Sequence, residues 1–161
     1  MGISEYRDIG DAMLIRRDRA MVAVTVMLDV AFHGSRANTV SAAEIAERLG
    51  MARRGMEPVL QALSRAGLLD SVRGPRGGYR LGRSRRDIKL SEIVAVATAE
   101  DAEASDGPTG RLQTAVVDRL WGELEDVVRT QLAGVTLDDL LRRAAAAGLR
   151  RPAAEPISFA I

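Results

Sequence analysis

The segment from Ser41 to Leu81 constrains the fold of this chain more than any other stretch, because two helix signals and one hairpin signal follow each other directly. Ser41 and Glu44 form a capping-box pattern ahead of a short helical periodicity, and Gly50 supplies a left-handed helix end. After this tight connection, apolar residues return at helical spacing until Gly67. Two short helices joined so closely predict a helix-turn-helix.

Two short strand patterns follow the second helix. Leu68 to Arg73 and Tyr79 to Leu81 flank the sequence Gly-Pro-Arg-Gly-Gly, which is suited to a sharp reversal of the chain. A phosphate-binding loop for nucleotides is excluded, because no Gly-Lys-Ser/Thr follows and the loop leads into a strand instead of a helix. The order helix, turn, helix, hairpin predicts a winged helix-turn-helix.

The second helix of the pair contains Pro58, which a helix tolerates best in its first turn. We therefore expect this helix to begin nearer Gly55 than Ala52, or to bend at the proline. Arg and Gln side chains can bind guanine and adenine edges in a major groove, and Glu can accept from cytosine. The polar residues on or near the face opposite the apolar one are Arg53, Arg54, Glu57, Gln61 and Arg65. They are either base contacts or an ordinary solvated helix face.

Basic residues are concentrated around this segment. Between Arg48 and Lys89 the chain has eleven Arg or Lys residues against three acidic ones, whereas between Glu100 and Asp126 eight acidic residues face only two arginines. The first region is suited to a polyanion such as DNA. A wing can lie along the sugar–phosphate backbone or place an arginine, here Arg76, in a narrow minor groove. The arginines that surround the hairpin tip are Arg73, Arg76 and Arg80.

The whole chain is predicted to be mainly α with a small β-hairpin, as a winged helix-turn-helix domain plus a long C-terminal dimerisation helix. The run from Arg19 to Phe32 is apolar almost all round, and its length favours a buried central helix over a strand. Translation can begin at Met1 or at Met13. The predicted segments are a flexible N-terminal arm (1–12), the winged domain (13–99), an acidic linker (100–110), the dimerisation and terminal helices (111–149) and a flexible tail (150–161).

The long helix predicted from Arg111 to Leu132 has apolar residues at every fourth position, so one of its faces is too apolar to stand alone in water. That face must pack either on its own domain or on a second copy of the chain. A second copy is favoured, because two-fold DNA sites require a two-fold protein. The predicted dimerisation residues are Leu112, Val116, Leu120, Trp121, Leu124 and Val128.

Several kinds of protein are excluded by what the sequence lacks. The chain has no cysteine and one histidine, so disulfides, thiolate zinc sites and cysteine-held iron–sulfur clusters are ruled out, and no metal or other cofactor is expected. No nucleophile stands beside a base and no carboxylate pair has a catalytic setting, so an enzyme is not expected. No apolar run is long enough to span a membrane, and we expect a cytoplasmic protein without a membrane partner.

Three stretches together resemble the Rrf-two (Rrf2) family of bacterial winged-helix regulators. They are SAAEIAERLG at Ser41–Gly50, AGLLDSVRGPRGGYRL at Ala66–Leu81, and the LW and GVTLDDLL sequences from Leu120 to Leu141. The resemblance implies a homodimer in which the long helix crosses to the other subunit, and a second motif helix placed in the DNA major groove. By position, it implies base contacts from Arg53, Arg54, Glu57 and Gln61, and backbone or minor-groove contacts from Ser41 and the wing around Arg76.

Many relatives hold an iron–sulfur cluster with three cysteines in the segment that is 100–110 here, and this chain has none of them. The predicted function is therefore a cluster-free transcriptional regulator, a repressor that binds a pseudo-palindromic operator in double-stranded DNA as a homodimer. The alternative is a protein-binding adaptor, or a regulator controlled by a partner enzyme or a small-molecule effector.

Overall fold

The computed structural model describes residues 17–99 and 107–152, and in these ranges the chain is mainly helical with one two-stranded hairpin. This confirms the predicted fold class. The elements are α1 (Arg17–His33), α2 (Ala42–Leu49), α3 (Arg53–Arg65), β1 (Leu69–Val72), β2 (Gly78–Leu81), α4 (Leu90–Thr98), a π-helical turn (Gln113–Val117) that leads into α5 (Asp118–Ala133), and α6 (Leu137–Ala146).

Helix α1 is the centre of the fold, as its apolar sequence predicted. It contacts α2, α3, α4, α6 and β2. Ala23, Val26, Met27 and Val30 on this helix are at most 1% exposed. Burial of this kind contributes about 1.5–3 kcal/mol for each large apolar side chain, so α1 holds the other helices in place.

The predicted ends of α2 are confirmed. The Glu44 backbone N–H donates to the Ser41 hydroxyl at 3.2 Å, and the Ser41 N–H donates to the Glu44 carboxylate at 2.7 Å, which completes the capping box. Gly50 has φ 63°, the left-handed conformation that a side chain would disfavour. The chain therefore turns sharply from α2 into α3.

The expectation that α3 begins near Gly55 is wrong. The helix begins at Arg53, and the Gly55 N–H donates to the Ala52 carbonyl at 3.0 Å in a tight first turn. Pro58 lies inside the helix, where it cannot donate to the Arg54 carbonyl. Burial of Met56 outweighs that lost hydrogen bond, because its side chain must reach the core one turn before the rest of the apolar face.

The hairpin is antiparallel, and its register pairs Leu69 with Leu81 and Val72 with Gly78. It confirms the predicted wing, with strand ends shifted by one residue. Val40, immediately before the cap of α2, extends the sheet, because its N–H and C=O both pair with Tyr79 at 2.8 Å. The wing and the start of α2 are thus one hydrogen-bonded unit.

The end of the described chain packs on the same core. The Leu137 N–H donates to the Ile88 carbonyl and the Leu90 N–H to the Val135 carbonyl, each at 2.9 Å. Leu137 and Leu141 are buried with residues of α1 and α4. Thr136 and Asp139 form a capping box at the start of α6. Helix α6 therefore shares the core of the winged part and fixes the last turn of α5.

Parts of the predicted organisation lie outside the described residues: the arm at 1–12, most of the acidic linker and the tail from 153 onward. Within the tail, Arg151 is described, and its guanidinium donates to the Ala31 carbonyl at 2.7 Å and to the Phe32 carbonyl at 3.3 Å. No helix in 17–99 or 107–152 has the length and apolar character needed to cross a membrane.

Candidate nucleic-acid interface

The buried apolar face of α3 determines how the helix is oriented about its own axis. Met56, Val59, Leu60 and Leu63 are at most 6% exposed and point into the core. The opposite face is left to solvent, and it carries all four predicted base contacts in exposed positions: Arg53, Arg54, Glu57 and Gln61. The structure brings these side chains together on one exposed surface.

The four polar side chains on the exposed face of α3 make few and weak interactions within the chain, so they can bind another molecule. Arg53 and Glu57 form an ion pair at 3.5 Å, with 65% and 50% of the side chains exposed. An exposed pair of this kind is worth about 0–1 kcal/mol, so it yields readily to a stronger partner. Within the described part of the chain, Arg54 and Gln61 have no side-chain hydrogen bond or ion pair.

The wing tip carries Arg73 and Arg76 in exposed positions. Gly74 has φ 114°, which supports the turn, and the Thr39 hydroxyl donates to the Arg76 carbonyl at 2.8 Å. The tip is therefore tied to the loop that precedes α2. A groove of about 980 Å³ between them is lined by both Ser41 and Arg76, so the two predicted backbone contacts lie on one surface.

Ser41 is occupied by its structural role. Its N–H and its hydroxyl both donate to the Glu44 carboxylate, each at 2.7 Å. The Ser41 hydroxyl bond is the main reason that the pKa of Glu44 is held below its ordinary value. Ser41 therefore fixes where α2 begins. A phosphate bound at this point would accept hydrogen bonds from the free N–H groups in the first turn of α2.

Gly78 is the point of closest approach between the wing and the start of α2. A Cβ at this position would lie 2.6 Å from the Val40 carbonyl oxygen and 3.0 Å from the Ser41 nitrogen. Both are backbone atoms, which cannot move without displacing the wing or the α2 cap.

Replacing Gly78 with Ala is expected to lower the free energy of unfolding by about 1–3 kcal/mol, as for other overpacked sites, and to weaken DNA binding. Urea denaturation and DNA titration measure the two effects. Gly110→Ala is the control, because no atom lies within 4 Å of its added Cβ. Equal stability of Gly78→Ala and Gly110→Ala would show that the wing is not held here.

Arg80 is separated from the other predicted contacts. It lies opposite Asp70 in the hairpin, and their side chains form an ion pair at 2.7 Å. Its guanidinium also donates to the Arg36 carbonyl at 3.4 Å, and it lines a different pocket from Arg76. The pairing of Asp70 with Arg80 follows directly from the hairpin register, a signal that the sequence already contained.

Comparison with known proteins places this arrangement in a family. Residues 17–143 match the model of the Rrf2 family, described as an iron-dependent transcriptional regulator. The chain belongs to the Rrf2 family of DNA-binding transcriptional regulators. Its relatives are regulators and not enzymes, in agreement with the sequence.

Named relatives support this assignment. The chain is 38% identical over 122 residues to the transcriptional regulator IscR of Pectobacterium carotovorum, with 74% of each chain covered. Among solved structures, T. potens IscR superposes with a TM-score of 0.64 at 30% identity, covering 83% of this chain and 90% of that one. CymR, the global cysteine regulator of B. subtilis, has a TM-score of 0.60 at 26% identity, covering 78% and 94%.

In this Rrf2 protein, α5 and the π-turn before it present a row of exposed apolar side chains. Leu112 is 80% exposed and Leu120 49%, which is unusual for large apolar residues in such a row. Val128, also predicted for dimerisation, is half-buried. Only the end of α5 packs on its own domain, through contacts with α4 and through Leu132. The exposed members are Leu112, Val116, Val117, Leu120, Trp121, Leu124 and Val127.

The π-turn at Gln113–Val117 was not predicted. A repeat of four residues advances by about 40° per step around an α-helix, so a regular α-helix would wind the apolar row around its surface. A π-turn has more residues per turn and reverses part of that drift. The strict spacing of Leu112, Val116 and Leu120 was the signal that could have indicated it.

The donor set for an iron–sulfur cluster is missing from this Rrf2 chain. Such clusters are held by cysteine thiolates, and the sequence contains no cysteine. Within 17–99 and 107–152, no three His, Asp or Glu side chains are grouped so that they could hold a metal ion. The residues present therefore do not fit a thiolate-bound cluster.

Proposed function

We propose that this Rrf2 protein is a cytoplasmic, cluster-free repressor that binds a pseudo-palindromic operator as a homodimer. The observation that carries the proposal is the exposed polar face of α3, which lies in the second position of a helix-turn-helix beside an arginine-bearing wing. A dimer bound across an operator excludes other proteins from the same DNA, so repression needs no further contact.

Base readout is assigned to α3. Arg53 and Arg54 have the donor geometry for guanine, Gln61 for adenine, and Glu57 can accept from cytosine. Because the Arg53–Glu57 pair is weak and exposed, the two side chains can separate when a base edge offers better partners.

Backbone contacts are assigned to Arg73 and Arg76 on the wing and to the first turn of α2 beginning at Ser41. Arginine at a wing tip can pair with phosphate or enter a narrow minor groove. The first turn of α2 offers free N–H groups at the positive end of a helix dipole. Arg80 is left out of this interface, because Asp70 already holds its guanidinium.

The dimer is assigned to the exposed apolar row of α5. Its side chains are too large and too contiguous to remain in water, and pairing two copies about a two-fold axis would cover them on both subunits. Two-fold pairing also suits an inverted-repeat DNA site, because each copy meets one half-site.

Selection of genomic fragments by the purified protein tests the function directly. We expect one short inverted repeat to be enriched, and expression of the adjacent gene to rise when the protein is deleted. Enrichment of unrelated sequences without a common repeat would contradict specific operator binding, and a fall in expression would contradict repression.

The double variant Arg73→Ala/Arg76→Ala is expected to bind the selected operator more weakly and to lower the salt dependence. Each lost phosphate contact should reduce the slope of log affinity against log salt by about 1. Arg143→Ala, which removes one exposed arginine from α6, measures the effect of losing a positive charge outside the proposed interface. A double variant with the same affinity and slope as Arg143→Ala would remove the wing from the interface.

A further inference from the structure

A second pocket, of about 660 Å³, lies at the base of the wing between the end of α1 and strand β2. Its volume is within the range of sites that bind small molecules, about 300–1,000 Å³. We name it the arginine pocket for its charged lining, which is Arg36, Arg80, Arg83, Arg85, Arg151 and Asp70.

Three of these arginines are neutralised by carboxylates. Arg80 pairs with Asp70 at 2.7 Å, Arg85 pairs with Asp138 at 2.7 Å, and Arg83 pairs with Glu92. Three arginines and three carboxylates leave no net charge among these pairs. Their guanidinium groups line the pocket with their charge balanced by the paired carboxylates.

The other two arginines keep their charge uncompensated. Within the described residues, the Arg36 guanidinium has no hydrogen-bond or ion-pair partner. In the same part of the chain, the acceptors of Arg151 are all neutral: the carbonyl oxygens of Ala31, Phe32 and Gly34. Two positive charges therefore face the same concave space, which attracts an anion.

The lining of the pocket is also apolar in part. The half-buried Leu81 supplies apolar surface there, whereas Val30 and Ala31, also in the lining, are only 1% and 3% exposed. A DNA phosphodiester has no apolar group to place there. An organic anion with an apolar body has both parts that the pocket matches: a charged group for the arginines and apolar surface for the floor.

We propose that the arginine pocket binds a small organic anion. Arg36 and Arg151 hold its carboxylate or phosphate group, and Leu81 contacts its apolar body. Arg80 of β2 donates to the Arg36 carbonyl, so the ligand sits between the wing and the loop that leads to α2. It contacts strand β2 of the wing and the loop that precedes α2, but no residue of α2 itself.

Phenyl phosphate is the probe, with inorganic phosphate and benzyl alcohol as the two partial analogues, titrated calorimetrically into the full chain without DNA. We expect phenyl phosphate to bind with a Kd of about 1 mM or below, and each analogue to bind at least about tenfold more weakly. Equal binding of benzyl alcohol and phenyl phosphate, or no binding of phenyl phosphate at all, would overturn the proposal.

Arg36→Gln is expected to weaken phenyl phosphate binding by about tenfold or more, because it removes one charge-assisted hydrogen-bonding group. Its side chain has no partner in the described chain, so the fold should be unaffected. Arg86→Gln removes a neighbouring exposed arginine that does not line the pocket and should bind like the wild type. Equal binding by both variants would place the anion elsewhere.

A final titration separates this site from a DNA contact. If the pocket is distinct, increasing phenyl phosphate will leave operator affinity unchanged or change it by a factor that saturates. A loss of operator affinity that continues in proportion to the probe would show that the pocket is a DNA backbone contact. Binding of phenyl phosphate is first measured without DNA. The test of the pocket therefore remains valid even if the protein proves not to bind an operator.

Discussion

Replacing Leu120 and Leu124 with glutamate is expected to convert the proposed dimer to a monomer and to weaken operator binding by at least about 100-fold. The two side chains are 49% and 37% exposed in the single chain, so the monomer can accept the charges. In a dimer they would be buried without partners, which is costly for any carboxylate. Sedimentation gives the oligomeric state, and DNA titration gives the affinity.

Arg129→Glu is the matched control, because it changes the net charge by the same two units on the same helix. Arg129 belongs to an exposed pair with Asp126, with 68% and 74% of the side chains exposed, and its loss should leave the dimer intact. A Leu120→Glu/Leu124→Glu protein that remained dimeric would show that α5 is not the interface. Loss of the dimer in both variants would indicate a general charge effect instead.

The parts of the fold that could be predicted from the sequence depend on neighbouring residues. Ser41 and Glu44 stand three positions apart, and their capping box needs no other part of the chain. Gly50 likewise takes its left-handed conformation because of its own missing side chain. The exposed face of α3 could also be predicted locally, because the spacing of the buried residues Met56 and Leu60 determines which residues of the helix face outward.

The errors and omissions arose where distant residues decide the outcome. The local preference of Pro58 predicts a later start for α3, whereas the helix begins at Arg53, where it carries the buried Met56. Arg151 contacts Phe32 and Ala31 at the end of α1, which are 119 and 120 positions away in the sequence. No local sequence pattern predicts such a contact. The arginine pocket therefore could not be predicted, because Arg151 and Arg80 line the same space only in the folded chain.

Replacing Arg48 with Met is expected to lower the free energy of unfolding by about 3 kcal/mol, measured by urea denaturation at pH 8. Arg48 on α2 donates two hydrogen bonds, at 2.9 and 2.8 Å, to Asp29 on α1. The Asp29 side chain is only 8% exposed, so the variant leaves a carboxylate without its main partner. Asp29→Leu/Arg48→Met should recover much of the loss, because it removes both charges together.

Arg53→Met is the control, because it removes an arginine from an exposed pair and should change stability by about 0.5 kcal/mol or less. An Arg48→Met protein as stable as Arg53→Met would show that the α1–α2 ion pair adds nothing to the fold. A double variant no more stable than Arg48→Met would show that the loss comes from packing of the arginine stem and not from the unpaired charge of Asp29.

His33 gives this variant a second, pH-dependent signature. Its Nε2 lies 3.6 Å from the Asp29 carboxylate, and its pKa is below the usual 6.5, first because of burial and then because of the Arg48 charge. Without Arg48, the pKa of His33 should rise, and the imidazolium can replace the lost guanidinium beside Asp29. Because folded Arg48→Met would bind the His33 proton more tightly than folded wild type, the variant gains stability relative to the wild type as the pH falls.

The stability difference between wild type and Arg48→Met should therefore narrow as the pH falls below about 6.5. Denaturation at pH 5.5 and pH 8 measures the change, and NMR titration of the single histidine of the chain measures its pKa directly. A difference that stays constant between these pH values, with an unchanged pKa, would show that His33 does not interact with Asp29. A rise in pKa with a narrowing difference would identify His33 as the second partner of the buried carboxylate that joins α1 to the helix-turn-helix.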